Sequence, residues 1–576
     1  MGAIFVCTHC AGLKDLAFSP TKPVLMHLRN HIGYVVLAQL LLLPSLMAQN
    51  VAITTHHYDN YRTGWNNHES VLTPANVGSE SFGIVYSVPL DAQVDAQPLI
   101  VPHETITAGN DPGVHDVVYV ASEGNTIYAI DANTGEVLLN PNFGPPVIIT
   151  LPVCGVGPTV GIKSTPVIDL ASKTMYVVVY TVKSGRASYG VHALDLGNLT
   201  DKVPPVVIKA SHTLNNGSNI TFDAGYQLQR PALLLANGNV YAAFGSFCDQ
   251  RFNRSRGWLL GWQASSLTPL ASNQLFDSQA TSPNDYFLAS VWMSGWGIAA
   301  DTAGDLYLVT ANSDPGGSSY DGVTDLQESV LKISPDLSQV VDLFTPFDWA
   351  DLDEDDHDFG SGGVTLLPRK PTALPQDGPE LAVAAGKEGT MFLMDQHDLG
   401  GYDPLANHVL GEYSIGRCLC GSSSFVDPVD KIPRVVSSGG ATIGLWKVQY
   451  NPTLGLVNVA NSGTLFHRSV GFFTVVSSNG LANPIIWALG RNNYNDDDLN
   501  FYAFDPEAGG GTLQQIFFSS EAGEWPYYDV NPNLIPVVAN GKVFIASGQV
   551  LTVFGLDDRL NRQKGRPTPG WNAPLN

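Results

Sequence analysis

Positive charge is scarce in this chain. Lysine and arginine together number 29 of the 576 residues, against 53 aspartates and glutamates, and the formal net charge is −24. Charged residues of both signs make up only 14% of the chain, below the ~25% that is typical. Residues 1–48 carry a net charge of +2, so the net charge without them is −26. Such a surface repels nucleic acid and anionic membranes, which excludes both as partners, although it leaves cationic partners and metal ions open.

Helical periodicity and three familiar catalytic motifs are also missing. After residue 48 we find no stretch of useful length with the spacing of an amphipathic helix, whereas glycine (57) and proline (38) are plentiful, as a turn-rich β protein requires. The chain contains no GxSxG nucleophile elbow, no phosphate-binding glycine loop and no HExxH zinc motif. The sequence therefore does not indicate a serine hydrolase of that type, a nucleotide-binding phosphate loop or a zinc protease.

The N-terminus has the pattern of an export signal. Residues 26–31 form a short basic segment, and residues 34–46 form an apolar segment. Leu46-Met47-Ala48 then resembles a cleavage site before Gln49. The apolar run is shorter than the ~20 residues that a membrane anchor needs. We expect residues 1–48 to be a leader, with residues 1–25 a mis-assigned start and residues 26–48 the signal peptide. The mature protein is then periplasmic or extracellular, without a membrane span.

A unit of strand, tight turn, strand and Asx-type turn recurs along the chain. Residues 117–131 and 381–395 align without a gap, and each copy ends in an aspartate whose carboxylate can cap the backbone N–H groups that follow. Looser copies bring the number of such anchor positions to eight, spaced 50 to 71 residues apart: Asp131, Asp195, Gln263, Ser334, Asp395, Gln449, Asp505 and Gly555. Repeats of this length built from short strands predict an all-β fold, a single β-propeller with eight four-stranded blades.

The repeats divide the chain into segments. Residues 91–558 form the predicted propeller, and residues 559–576, which lack a core pattern, form a loose tail. Residues 49–90 are a leading segment, and its alternating residues 82–90 are expected to complete the last blade. Four X-Pro signals mark predicted first strands: Gln97-Pro98, Thr165-Pro166, Arg230-Pro231 and Asn483-Pro484. Long insertions predict a built-up rim over the central channel: 212–226, 276–290, 311–325, 346–362, 400–432 and 491–500.

Four cysteines follow residue 48. An even number in an exported chain permits disulfides. Cys154 and Cys248 lie in loops of neighbouring repeats, and we predict that they pair. Cys418-Leu419-Cys420 either closes a small ring or stays reduced, and it lacks the second pair that a zinc site needs.

Several short runs between about residues 56 and 400 resemble the quinoprotein-dehydrogenase-like propellers of the PQQ-repeat superfamily. They are more closely similar to secreted bacterial PQQ-like repeat propellers, mostly of unassigned activity. The matching runs are Tyr58-Asp59-Asn60, Arg62-Thr63-Gly64, Leu72-Thr73-Pro74-Ala75-Asn76-Val77, Thr165-Pro166-Val167-Ile168-Asp169, Gln229-Arg230, Gly245-Ser246, Cys248-Asp249, Trp292-Met293-Ser294-Gly295, Gly360-Ser361-Gly362-Gly363 and Gly386-Lys387-Glu388-Gly389-Thr390. These motifs are specific for the family but not for a chemistry.

The resemblance implies a candidate ligand site at the channel mouth. In quinoprotein dehydrogenases a flat anionic quinone lies on a tryptophan, cations hold its carboxylates, Ca²⁺ polarises a carbonyl and an aspartate is the base. Polar, glycine-flanked turns of this chain supply Arg62, Arg230, Trp292, Trp296, Lys387 and Glu388. Trp292 would be the platform, and Arg62 or Lys387 would pair with carboxylates. The alternative is that both tryptophans pack between blades and the cations balance nearby acids.

The sequence departs from those dehydrogenases in two respects. Their adjacent cysteines form a ring beside the cofactor, whereas the nearest counterpart here, Cys418 and Cys420, has one residue between them. Their calcium-binding Glu, Asn and Asp have no counterpart that the sequence alone can place. Catalytic residues therefore stay unassigned, and Ca²⁺ and PQQ are expectations of the resemblance.

Residues 349–358 are the densest acidic stretch. Asp351, Asp353 and Asp355 alternate like the carboxylates of a calcium loop, and with Asp358 they are a candidate Ca²⁺ site. The EF-hand pattern is incomplete, because Asp356 stands where a glycine is needed and Gly362 where an acid is needed. The alternative is a solvated acidic loop.

Because no catalytic set can be defended, the sequence favours a binding module for a small molecule, a carbohydrate or a protein. The first alternative is a PQQ- and Ca²⁺-dependent dehydrogenase of alcohols or sugars. The second is a carbohydrate-binding or carbohydrate-degrading propeller.

Overall fold

The regular structure is almost entirely β-strand. The computed structural model describes residues 50–149, 157–247, 255–279, 287–314, 318–369, 378–465, 470–491, 497–525 and 533–557. Eight antiparallel four-stranded sheets follow one another along the chain, which confirms the predicted eight-bladed propeller. Within these ranges the only helices are two short α-helices, Pro74–Val77 and Trp349–Glu354, and the 3₁₀ turns Met293–Gly295 and Phe359–Ser361. No helix in the described ranges is long and apolar enough to cross a bilayer.

Blades 1 to 4 are each formed by four consecutive strands, from the channel outwards. Blade 1 consists of Leu99–Ile106, Gly113–Ala121, Ile127–Asp131 and Val137–Leu139. Blade 2 consists of Val167–Asp169, Thr174–Lys183, Arg186–Asp195 and Val206–Val207. Blade 3 consists of Leu234–Ala236, Asn239–Phe244, Trp258–Gln263 and Gln274–Leu275. Blade 4 consists of Ala299–Ala300, Leu306–Val309, Val330–Ile333 and Val340–Phe344.

Blades 5 to 8 repeat this order, with a different fourth strand in blade 8. Blade 5 consists of Thr365–Leu366, Leu381–Ala385, Thr390–Asp395 and Gly411–Ser414. Blade 6 consists of Ser423–Val426, Pro433–Ser437, Gly444–Gln449 and Gly455–Asn461. Blade 7 consists of Phe473–Asn479, Ala482–Arg491, Leu499–Asp505 and Gln514–Ser519. Blade 8 consists of Val537–Ala539, Lys542–Ala546, Val550–Leu556 and Phe82–Pro89.

The leading segment supplies that last strand. Phe82–Pro89 pairs antiparallel with Val550–Leu556, so the two ends of the propeller sequence close the ring without a covalent bond. Earlier in the same segment, Trp65–Asn66 pairs parallel with the first strand of blade 7 as a fifth strand. Two further hairpins lie in the loops between blades: Val147–Ile148 with Thr159–Val160, and Ser211–Thr213 with Asn219–Thr221.

All eight anchor positions lie at or next to the end of a third strand. In blade 1 the Asp131 carboxylate accepts the Asn133 and Thr134 N–H groups at 2.8 and 2.9 Å. Gly135 follows with a φ of 78°, in the region that favours glycine. One expectation was wrong: Asn483-Pro484 lies in the second strand of blade 7, because Phe473–Asn479 is the first.

Residues 53–66, the central plug, cross the middle of the propeller. Each blade forms at least one hydrogen bond with them. The pairs, without regard to which residue donates, are Ile53 with Ile100, Thr54 with Ile168, Asn60 with Leu235 and with Ala300, Tyr61 with Leu366, Thr63 with Ser424, Gly64 with Val476, and Asn66 with Val538. The partners lie in the first strands of blades 1 to 8, in that order. A segment that touches the innermost strand of every blade must lie on the central axis, so the chain fills its own channel.

Cys418 and Cys420 are joined by a disulfide with a Cα–Cα distance of 4.9 Å. Of the two alternatives for this motif, the structure has the closed ring, and both residues are buried. The predicted Cys154–Cys248 pair lies outside the described residues.

Candidate functional site

Many of the charged and polar candidate residues lie on loops at one face of the propeller. Strand direction alternates within a blade, so the loops between second and third strands emerge on the same face as the loops that lead into the next blade. We call this the mouth face. The loops that lead into first strands carry Asp95, Lys163, Arg230, Trp292 and Asp358, and the loops between second and third strands carry Glu123, Asn312, Glu328 and Lys387.

Trp292 lies close to two cations. The Arg230 guanidinium carbon is 5.8 Å from the centroid of the partly buried indole, and Lys387 Nζ is 5.5 Å from it. Both distances are within the range of cation–π attraction. The structure therefore brings together three of the six residues predicted for the ligand site.

The turn after Trp292 has an unusual backbone. Met293 and Ser294 have φ values of 41° and 48°, in the left-handed region that residues other than glycine rarely adopt. Ser294 Oγ donates to the Ser361 carbonyl at 2.6 Å, and Ser361 Oγ donates to the Cys418 carbonyl at 2.7 Å. The disulfide ring and the tryptophan turn are thus linked through one serine. Such strained backbone is concentrated at functional sites.

Lys387 is held by two carboxylates. Its Nζ lies 2.7 Å from Asp356 Oδ1 and 2.7 Å from Asp358 Oδ2. Burial would lower the pKa of Lys387, but Asp358 and Asp356 together raise it above its usual value. Burial in turn raises the pKa of Asp358, although Lys387 opposes the shift. Lys387 is therefore a permanent cation beside Trp292.

Three buried oxygens lie near Lys387 without a hydrogen bond from any residue that the structure describes. They are Asp358 Oδ1, Asn312 Oδ1 and Glu328 Oε1. The Asp358 carboxylate accepts the backbone N–H of Asn312, and the Phe359 N–H donates to Glu328 Oε2 at 2.5 Å. Buried oxygens are nearly always satisfied, so this cluster indicates a place for a hydrogen-bond donor or a cation.

A second charged cluster lies beside Arg230. Lys163 Nζ lies 2.9 Å from Glu123 Oε1 and also binds Asp95, and all three side chains are almost fully buried. Burial opposes ionisation, yet Lys163 and Arg230 hold the pKa of Asp95 below its usual value. Burial and the Asp95 charge raise the pKa of Glu123 well above its usual value. Asp95 therefore ionises more readily than Glu123, and Lys163 pairs with both.

The sequence interpretation missed this cluster and Asn312. Asp95, Lys163 and Arg230 all lie four residues before the first strand of a blade, the strands that begin at Leu99, Val167 and Leu234. Glu123 occupies the repeat position of Lys387 in the gapless alignment of residues 117–131 with 381–395. A comparison of equivalent repeat positions would have found these residues.

Arg62 belongs to the central plug. Its fully buried guanidinium donates to Ile298 O at 2.6 Å, His56 O at 2.7 Å, Thr55 Oγ1 at 2.7 Å and Leu233 O at 3.2 Å. Burial lowers the pKa of Arg62 to about 10, so the side chain stays charged. Arg62 fastens the plug to blades 3 and 4, apart from the Trp292 cluster.

Trp296 packs against the same plug. Its ring is fully buried and lies 4.1 Å from the His57 ring, and its Nε1 donates to Val364 O at 3.3 Å. A Cβ at Gly421 would lie 2.3 Å from the indole, so a glycine is needed there. Glu388 is exposed beside Lys387, and burial and the Asp348 charge raise its pKa.

The acidic stretch has a different form from the predicted loop. Residues Trp349–Glu354 form a short α-helix, on which residues two apart face different directions. Asp351 and Asp355 are exposed, Asp353 is buried with its Oδ1 accepting the Ser313 N–H at 3.1 Å, and Asp358 lies at the mouth. Across the described ranges, no group of three or more His, Cys, Asp or Glu side chains could hold a metal ion. Calcium at these four aspartates stays a prediction.

Comparison with known proteins finds similarity in structure but not in sequence. No protein-family model and no curated protein sequence matches the chain. The quinohemoprotein alcohol dehydrogenase of Comamonas testosteroni aligns with a TM-score of 0.54 at 12% identity, over 91% of this chain and 82% of that chain. A quinohemoprotein alcohol dehydrogenase of Pseudomonas putida HK5 gives 0.54 at 11%, with coverages of 91% and 82%. A europium-containing methanol dehydrogenase gives 0.54 at 10%, with coverages of 88% and 98%. The chain thus shares its β-propeller fold with these alcohol and methanol dehydrogenases.

Proposed function

We propose that the mouth face binds a flat, carboxylated quinone of the PQQ type and that the protein oxidises an alcohol or a sugar. The observation that carries the proposal is the partly buried Trp292 ring close to Arg230 and Lys387. An aromatic face flanked by two cations suits a planar anion, because the ring stacks while the cations pair with carboxylates. This proposal is more specific than the binding module that the sequence favours.

The surrounding residues fit such a group. Arg230, with Lys163 close behind it, would pair with the carboxylates, and Lys387 would donate to a ring oxygen. The unpartnered Asn312 Oδ1 and Asp358 Oδ1 are hard oxygen donors of the kind that Ca²⁺ prefers. The closed Cys418–Cys420 ring supports the Trp292 turn through Ser361. The residue between those cysteines still distinguishes the site from that of the known dehydrogenases.

When bound, PQQ would supply a two-electron acceptor for oxidation of a hydroxyl carbon to a carbonyl. Asp358 would accept the hydroxyl proton, because it is the carboxylate that contacts Lys387 and also has an unpartnered oxygen. Lys387 would keep Asp358 oriented through the 2.7 Å ion pair. The central plug fills the channel, so substrate would approach from the mouth face.

Reconstitution tests the proposal. The mature protein, incubated with PQQ and Ca²⁺ and then desalted, should retain near-ultraviolet quinone absorbance and reduce an artificial acceptor dye with an alcohol or a sugar. Trp292→Ala should lose the retained quinone, whereas Trp349→Ala should keep it. Trp349 is a matched control, since it is also partly buried but stacks on Tyr320 at 5.3 Å.

A second variant separates binding from chemistry. Asp358→Asn keeps the shape of the side chain and should retain quinone while turnover falls at least ~10²-fold, as expected for loss of a general base. Failure of the parent protein to retain PQQ would overturn the oxidoreductase proposal and return the mouth face to the simpler role of a binding site.

A further inference from the structure

A second cluster of acids lies at the outer edge of the mouth face, between blades 3 and 4. Asp277 follows the outermost strand of blade 3, and Asp325 lies in the loop between the second and third strands of blade 4. The two residues are partners in an isolated antiparallel β-bridge, and both are fully buried. Opposed residues in such a bridge have Cβ atoms about 4.5–5.5 Å apart, on the same side. Two carboxylates therefore face each other inside the protein.

The surrounding charges do not balance this pair. Arg256 is the cation that contacts it, with Nη1 at 3.3 Å from Asp277 Oδ1 and at 2.8 Å from the Asp277 carbonyl. A third carboxylate, Asp321, is close enough for its charge to act on both aspartates. Among the described residues, the two facing carboxylates are thus paired with one guanidinium, while the exposed Asp321 adds further negative charge.

Asp277 Oδ2 and Asp325 Oδ2 have no well-formed hydrogen bond among the described residues. The Ser318 hydroxyl interacts with both carboxylates, but it has a single proton to donate, so it cannot satisfy the two together. Leaving buried carboxylate oxygens unsatisfied is costly, so the protein gains stability from anything that pairs with them. Burial and the facing Asp277 charge raise the pKa of Asp325 to about 7, as expected for an uncompensated pair.

We propose that Asp277, Asp325 and Ser318 bind a calcium ion. Two carboxylate oxygens and a hydroxyl are hard donors, and Ca²⁺ completes its six to eight ligands with carbonyls and water more flexibly than Mg²⁺. Its two positive charges offset those of the two facing carboxylates. The ion ties the stretch after blade 3 to the insertion of blade 4. This site is separate from the acidic helix Trp349–Glu354 and from Asn312 and Asp358 at the mouth.

Calcium titration of the mature protein tests the site. After treatment with a chelator, added CaCl₂ should raise the melting temperature and bind with measurable heat, because an ion that binds only the folded state stabilises it. Asp325→Asn keeps an oxygen for the Gln327 N–H and should lower the calcium affinity of this site at least about tenfold. The calcium-free variant should melt no lower than the calcium-free parent, since one facing charge is gone.

Two controls locate the ion. Asp336→Asn makes the same chemical change in an exposed turn of blade 4 and should keep the full calcium response. Asp358→Asn removes a candidate calcium donor at the mouth, so the titration is repeated in that background, where the calcium response that remains belongs to the blade 3–blade 4 site. Calcium stabilisation that survives in the double variant Asp325→Asn, Asp358→Asn would overturn the proposal. So would a parent that calcium leaves unchanged but that gains stability as the pH falls below about 7, because the two aspartates would then share a proton.

Discussion

Two tryptophans four positions apart have different surroundings. Trp292 is partly buried close to Arg230 and Lys387, whereas Trp296 is fully buried against the histidines of the central plug. The sequence alone could not distinguish the roles of the two tryptophans, because both lie in the same polar, glycine-flanked run. What distinguishes them is a long-range contact with a segment more than 200 residues earlier in the chain.

Stability measurements should separate the two roles. Trp296→Ala removes a fully buried indole and should lower the free energy of unfolding by about 3–5 kcal/mol. Trp292→Ala should cost less than about 1.5 kcal/mol, since its ring is partly exposed and its main contacts are with two cations. Denaturant titration of both variants checks this, and equal losses would contradict the assignment of Trp292 to the mouth.

The strands were more predictable than the segments between them. The anchor positions placed all eight third strands. At Asp131, Asp195, Asp395 and Asp505 the signal is an Asx turn, which a few adjacent residues encode, and the looser copies follow from the spacing of the repeat. The short helix at Trp349–Glu354 and the plug depend on contacts with distant strands, which a local pattern does not contain. Of the residues at the mouth face, the sequence singled out Arg230, Trp292 and Lys387. Asn312 and the Lys163 cluster were missed, because finding them requires a comparison of equivalent positions in different blades. Arg62 was proposed as a partner for ligand carboxylates, but in the structure its guanidinium donates mainly to backbone carbonyls of the protein itself.

The plug should make stability depend on pH. His57 is fully buried, and burial lowers its pKa from 6.5 to about 4. Burial, the His57 charge and then Arg62 also lower the pKa of His56. Between pH 6.5 and 4 the unfolded chain binds protons that the folded chain does not, so stability falls as the pH falls. His57 alone accounts for about 3 kcal/mol over this window.

Unfolding in denaturant at pH 7 and at pH 4.5 measures this effect. His57→Gln should be less stable at pH 7 but should lose less on acidification than the parent. His68→Gln changes an exposed histidine and should keep the parental pH dependence. An unchanged pH dependence in His57→Gln would show that other groups dominate acid unfolding.

At the scale of the whole molecule, the leading segment has two structural roles. Phe82–Pro89 closes the ring at blade 8, and residues 53–66 bond to the first strand of every blade. A propeller is stabilised mainly by contacts between neighbouring blades. A segment that contacts all eight inner strands couples blades that do not touch, and it fills the central channel. Folding should therefore be cooperative around the whole ring.

Truncation of the plug tests that coupling. A chain that begins at residue 67 keeps the closing strand but lacks every plug contact, and it should unfold at lower denaturant concentration in a broader transition. A synthetic peptide of residues 50–66, added in excess, should restore part of the lost stability, because it binds the folded ring and not the unfolded chain. Asn60→Ala is a milder variant, since it removes only the 3.0 Å bond to Leu235 and leaves the backbone bond to Ala300 in place. It should cost about 1 kcal/mol. A truncated chain with the same transition as the parent would mean that the blades cohere without the plug, and the segment would then serve only to close the channel.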